Sequence, residues 1–204
     1  MASPHIKYLA LVAAMMFAVF VSCASPDDQV PAPKAPMSEP SETETSAAEV
    51  GHSAFAEPER LCLALEDEGL PPALSPTWKR FEGDTKYSCV ADDLEVTPGG
   101  YNYVGDVPNV IEYYAESDTA DRVDLFSLTA SIFNEQQAGP VVSRFQELTQ
   151  TLFERLNLPM PDGLSAAIDR GQSDTFNMEY GTVALTRESY NMGHGLVVRV
   201  DRAE

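Results

Sequence analysis

The chain has 204 residues, with 13 Lys+Arg against 32 Asp+Glu and a formal net charge of -19. So acidic a balance argues against nucleic-acid binding and against adsorption to anionic lipid through a basic face, both of which draw on clustered Lys and Arg. Hydrophobic residues at 44% are enough for a packed core, which excludes a wholly disordered chain.

Residues 1–22 read as an export signal. Lys7 precedes an apolar run from Tyr8 to Val21 that is shorter than the ~20 residues a membrane-spanning helix needs. The run ends in Phe20-Val21-Ser22-Cys23-Ala24, which resembles the lipobox of bacterial lipoprotein precursors, with Phe20 standing where that motif most often has Leu. The resemblance covers about the first 24 residues, a usual signal length. It implies that a peptidase cuts before Cys23, that the Cys23 thiol carries a diacylglycerol and that its new amine is acylated. Each buried CH₂ contributes about 0.8 kcal/mol and one chain binds only marginally, so two or three chains hold a protein on its membrane. By the sorting rule of that class, Ala24 rather than Asp after the cysteine implies the outer membrane, facing the periplasm, in a Gram-negative host.

From Cys23 to Phe55 the composition changes. Pro26, Pro31, Pro33, Pro36 and Pro40 alternate with Asp27, Asp28, Glu39, Glu42, Glu44 and Glu49, against the single base Lys34. Large aliphatic residues are scarce, so the segment buries too little apolar surface to offset its ordering entropy and is expected to be a disordered tether.

Residues 56–204 are expected to fold. Glu57-Pro58 opens a predicted helix in which Leu61, Cys62 and Leu65 share a face and Gly69 is the stop. A strand at Lys86–Val90 is expected to pair with Leu94–Thr97, with a turn at Pro98-Gly99-Gly100. Asn109–Glu116 and Arg122–Phe133 flank the polar stretch Ser117–Asp121 and predict an antiparallel hairpin, with Phe126, Leu128, Ala130 and Ile132 on one face. A helix over Pro140–Asn157 is predicted from the stripe Val141, Phe145, Leu148, Leu152 and Leu156. A short helix Gly163–Arg170, capped by Asp162 and stopped by Gly171, follows. Thr175–Thr186, with a bulge at Gly181, and Leu196–Val200 complete the strands, joined by a long turn over Glu188–Gly195. This order predicts an α+β fold: an antiparallel sheet of about five to six strands with helices packed on one face.

With Cys23 assigned to lipid, two cysteines remain. An exported chain meets an oxidising compartment, so Cys62 and Cys89 are expected to form a disulfide, worth about 3.5 kcal/mol by loop entropy. Histidines are few: His5 lies in the signal, His52 in the tether, and His194 in a Gly-flanked turn where a solvated loop residue is the ordinary reading. Neither a nucleophile elbow, a zinc spacing, a P-loop nor a dinucleotide fingerprint is found, so no cofactor or metal is assigned. Asp118, Asp121 and Asp124 near one turn, and Asp92, Asp93 and Glu95 after one strand, are numerous enough for calcium, but their spacing matches no EF-hand loop and a turn with a solvated acidic face accounts for them. Tyr101, Tyr103, Tyr113 and Tyr114 are candidate binding residues; adjacent Tyr113 and Tyr114 point to opposite sides of a strand, so at least one is expected to be exposed.

The resulting expectation is a lipid-anchored envelope protein without catalytic activity. It would serve as a binding or accessory module for another envelope protein through a sheet face or edge strand. The alternative is an envelope hydrolase or small-ligand-binding protein with a site near His194.

Overall fold

A computed structural model describes residues 53–75, 77–97 and 107–204. The first helix expected from sequence is divided. α1 covers only Pro58–Cys62, with Pro at its start, and a separate 3₁₀ turn occupies Glu66–Glu68 before Gly69 reverses the chain at φ 92°. Between them the backbone bonds tighten to i→i+3 spacing, from the Ala64 N–H to the Leu61 carbonyl and from the Glu66 N–H to the Leu63 carbonyl, each at 3.1 Å, and two carbonyls also accept from side chains. The Leu61 carbonyl accepts from the Tyr113 hydroxyl at 3.0 Å, and the Ala64 carbonyl accepts from the Arg155 guanidinium at 2.9 Å. The α ladder gives way to 3₁₀ spacing, and the stretch is tied to Tyr113 and Arg155 through these side-chain bonds.

The strands are β1 (Lys79–Arg80), β2 (Tyr87–Val90), β3 (Leu94–Glu95), β4 (Val110–Ser117), β5 (Leu125–Ile132), β6 (Asp174–Met178), β7 (Gly181–Ser189) and β8 (His194–Arg202). They form one antiparallel sheet in the order β1-β2-β4-β5-β8-β7-β6, with β3 also paired to β4. The fold class is α+β as expected, with more strands than the five or six read from sequence.

Two pairings differ from expectation. β2 does not fold back on β3: both lie along β4, through Cys89↔Ala115 and Leu94↔Ile111. Between them only Ala91, Asp92 and Asp93 intervene, none with positive φ, so the tight reversal a hairpin needs is absent. Conversely, the predicted long strand Thr175–Thr186 is a hairpin. Met178 pairs with Gly181 around the two residues Glu179 and Tyr180, so the phase change read as a bulge is a reversal of the chain. Gly181 (φ 148°) is obligatory there, because a Cβ would lie 2.0 Å from the Asp201 carbonyl oxygen. The long turn expected at Glu188–Gly195 shrinks accordingly, and Ser189 pairs directly with His194.

The β4–β5 hairpin forms as predicted, from Val110↔Ser131 to Glu116↔Leu125. Phe126, Leu128, Ala130 and Ile132 are all fully buried. They meet α2 (Ala138–Arg155), whose Val141, Phe145, Leu148 and Leu152 are buried as the stripe required. A 3₁₀ turn, Glu135–Gln137, precedes α2, and the Asn134 side chain accepts from the Gln136 N–H at its start. α3 (Leu164–Arg170) ends at Gly171 as expected; at its start Gly163, in a left-handed conformation, takes the place assigned to Asp162 and no side-chain cap is made. Along β4 buried residues alternate with accessible ones, so one sheet face carries the core and the other is open. Among the described residues, no helix is long and apolar enough to cross a membrane.

Cys62 and Cys89 are joined across 27 positions, with 6.0 Å between their Cα atoms. The bond fixes α1 to β2, and both cysteines are buried. Replacing the pair by Cys62→Ala with Cys89→Ala is expected to cost about 2–4 kcal/mol. The measurement is the urea midpoint of the double variant against the oxidised parent, and the parent under reductant should move toward the variant.

Candidate functional site

The residues singled out from sequence do not gather in one place. Tyr113 is 1% exposed and spends its hydroxyl on the Leu61 carbonyl; it belongs to the core and is withdrawn as a binding residue. Tyr114 lies on the open face, half-buried, and donates to Glu116 Oε2 at 2.8 Å. Tyr101, Tyr103 and Cys23 lie outside the described residues, as does the turn Pro98-Gly99-Gly100.

His194 is also displaced from its expected setting. It is the first residue of β8 and only 7% exposed, so the expected solvated loop position is corrected to a buried strand end. The ring sits where β8 passes the turn before α2, and Nδ1 lies 2.6 Å from Glu135 Oε1. A carboxylate on Nδ1 orients an imidazole. Among the described residues no Ser, Thr, Tyr or Cys side chain is hydrogen-bonded to this ring, so the geometry supplies a His–Glu pair that ties β8 to the α2 turn.

The acidic residues near the β4–β5 turn have an architectural arrangement. Asp124 accepts from the Ser117 hydroxyl at 2.6 Å, the Asp118 N–H at 3.2 Å, Arg122 Nε at 3.0 Å and Arg202 Nη2 at 3.3 Å. Its oxygens therefore bind the turn together. Among the described residues, no group of three His, Cys, Asp or Glu is placed to hold a metal ion.

Among the described residues, one cleft opens beside β2 and another beside Trp78. The smaller, about 200 Å³, opens on the uncovered face and is lined by Asp84, Thr85, Lys86, Ser88, Tyr114 and Glu116. Here Glu116 accepts from both Lys86 and Tyr114. Partial burial works against ionisation of the Glu116 carboxyl, and these two donors outweigh it, so its pKa falls below the ordinary value. Burial, reinforced by Glu116, pushes the Tyr114 phenol up to about 12.

The larger cleft, about 480 Å³, is lined by Glu57, Pro58, Glu59, Arg60, Trp78 and Ala120. Sequence reasoning passed over Trp78, although it is the single tryptophan and is followed at once by Lys79-Arg80 in a chain poor in bases. Its indole is held on two sides. Nε1–H donates to the Ala120 carbonyl at 3.0 Å, and the ring stacks on Tyr87 with centroids 6.3 Å apart and planes inclined by 21°. Arg80 lies over the same Tyr87 ring at 5.6 Å, and Lys79 over Phe81 at 4.7 Å. Across the cleft, Arg60 donates to Glu57 at 3.4 Å and to the Arg155 carbonyl at 2.9 Å. The result is a fixed aromatic wall facing a wall of planar charged groups.

No family model matches the chain, and neither a curated protein nor a solved structure matches it.

The depressed Glu116 and Asp124 carboxyls give a pH prediction with a definite sign. A carboxyl whose folded pKa lies below its unfolded value adds stability that is complete above about pH 4–5 and is lost as pH falls through the folded pKa. Unfolding free energy should therefore decline from about pH 5 downward. Glu116→Gln and Asp124→Asn should each cost roughly 0.5–1 kcal/mol at pH 7 and flatten that decline, as measured by urea denaturation at stepped pH.

Proposed function

We propose that the protein is a lipid-anchored module of the cell envelope, held through Cys23 to the outer membrane on its periplasmic side, and that it recruits another envelope protein without catalysis. The observation that carries the recruiting role is the contrast between the two sheet edges. At one end β1 is two residues long and consists of Lys79 and Arg80, a short, charged strand of the kind that resists pairing. At the other end β6 runs five residues, Asp174–Met178, without proline, lysine or bulge, and among the described residues its outer side has no partner strand.

The pairing says which β6 groups face outward. Met178 and Gly181 close a two-residue turn, so the ladder bonds fall on Met178, Phe176 and Asp174. Thr175 and Asn177 turn their N–H and C=O groups away from β7. The Thr175 N–H is meanwhile occupied by its neighbour, the Asp174 carboxylate, at 2.9 Å. Such an edge can accept an added strand, in which main-chain bonds supply affinity and alternate side chains supply selectivity. The Lys-Arg edge of β1, by contrast, keeps added strands to one end of the sheet.

Two experiments test the parts separately. Intact mass of the chain extracted from native membranes should show a start at Cys23 with acyl mass added; a chain without acyl mass overturns the anchor. For recruitment, a photo-crosslinking residue in place of Thr175 in the anchored protein should trap a discrete partner, and one at Ser143 on the exposed side of α2 should not. Asn177→Pro removes an outward N–H without touching the β7 ladder, so it should abolish the crosslink while costing the domain less than about 1 kcal/mol. Equal trapping from both positions, or trapping indifferent to Asn177→Pro, would overturn the strand-addition reading.

A further inference from the structure

We propose that the cleft beside Trp78, at the opposite end of the sheet from β6, is a binding site for a neutral oligosaccharide. The argument rests on the chemistry of its two walls. A pyranose ring has an apolar face of axial C–H groups and a rim of hydroxyls. It is bound where a flat apolar surface and planar hydrogen-bonding groups lie at right reach of each other. Trp78 and Pro58 supply the flat apolar surfaces. The Glu59 carboxylate supplies a planar acceptor able to engage two neighbouring hydroxyls, and Glu57 and Arg60, paired with each other at 3.4 Å, add the acceptor and donor positions their pair leaves over.

Preorganisation favours such a ligand. Indole Nε1–H is already satisfied by the Ala120 carbonyl and the ring is stacked on Tyr87. Trp78 therefore offers its remaining surface without loss of side-chain freedom, which matters for a ligand whose individual contacts are weak. The volume, about 480 Å³, lies in the range of small-ligand sites.

Charge selects among occupants. The folded part from Phe55 holds 26 acidic against 11 basic residues, so an anionic ligand is repelled by the whole domain. Arg60 is paired with Glu57 at 3.4 Å, which leaves Glu59 as the carboxylate of this wall without an ion pair among the described residues. A peptide strand would need backbone groups to pair with, and the lining offers side chains, including a proline without an N–H. An uncharged polyhydroxyl ligand meets neither objection.

The chain's single tryptophan makes the test direct, because the emission of the full-length protein in detergent reports this cleft alone. Cellotetraose and the β-1,4-linked N-acetylglucosamine tetramer are the probes, with a lysine-rich decapeptide as the competing class. A saturable change in emission with at least one tetrasaccharide, with a midpoint on the order of 0.1–1 mM, is expected. Trp78→Ala should abolish binding as followed by calorimetry. Because that change also removes the Tyr87 stack, Glu59→Ala provides a second variant: its side chain is exposed and makes no hydrogen bond among the described residues, so the fold stays intact while affinity should drop about five- to twentyfold. No saturable change with either sugar up to about 10 mM would overturn the proposal. Sugar binding indifferent to Glu59→Ala, or saturation by the decapeptide alone, would overturn it equally.

Discussion

The bond between Cys62 and Cys89 connects two parts of the molecule that share little else. On one side stands a five-residue helix, too short to hold itself together in water; on the other is β2, the strand that leads into the sheet. Leu61 and Leu65 pack into the core on either side of the cysteine, and the Tyr113 hydroxyl reaches from β4 to the Leu61 carbonyl. With the helix pinned in this way, Glu57, Pro58 and Arg60 are held opposite Trp78. A cleft between a five-residue helix and the indole of Trp78 thus acquires fixed walls through one covalent bond and one buried hydrogen bond.

The sheet then sorts its surroundings by side and by end. One face is closed by α2 and α3; the other is open and carries the partly buried group Tyr114, Glu116 and Lys86. The two ends differ as well, with the aromatic and cationic residues gathered at β1 and the unpaired backbone at β6. β8 stands between β5 and β7 and joins the two hairpins into one sheet. Anything bound at one edge is therefore linked to the other by a continuous hydrogen-bonded ladder. In the reading advanced above, a sugar site and a protein-binding edge face outward from opposite ends of a single rigid element.

Local signals in the sequence were reliable where they extended over several residues. Phe126, Leu128, Ala130 and Ile132 alternate over a full strand, and Val141 through Leu152 repeat at helical spacing, so those elements were legible along with the face each buries. The pairing of Cys62 with Cys89 was legible once Cys23 was read as a lipid site and the chain as exported, an expectation that left two thiols to pair. What failed was non-local. That β2 and β3 both choose β4 depends on a strand some twenty residues away, and the Gly181 reversal depends on room against Asp201. Which of Tyr113 and Tyr114 turns inward is set by the side of β4 on which α1 and α2 pack. The Trp78 wall had a signal, an isolated tryptophan beside Lys79-Arg80, yet its partners Glu57 and Ala120 are remote in sequence, and spacing alone cannot bring them together.

The same disulfide also decides how the domain bears mechanical load. The Phe55 carbonyl accepts from the Val123 N–H, and its ring packs on Phe126, so a pull on the amino-terminal side of the chain enters the fold there. It passes along Pro58–Cys62 and at Cys62 meets a covalent branch into β2 at Cys89. From that point the tension runs through the sheet, and the intervening loop, with Trp78 and β1, is bypassed. The near wall of the cleft lies on the force path and the far wall lies off it. Traction on the chain would open the slot before it disturbed the sheet, and the disulfide would mark where that peeling stops.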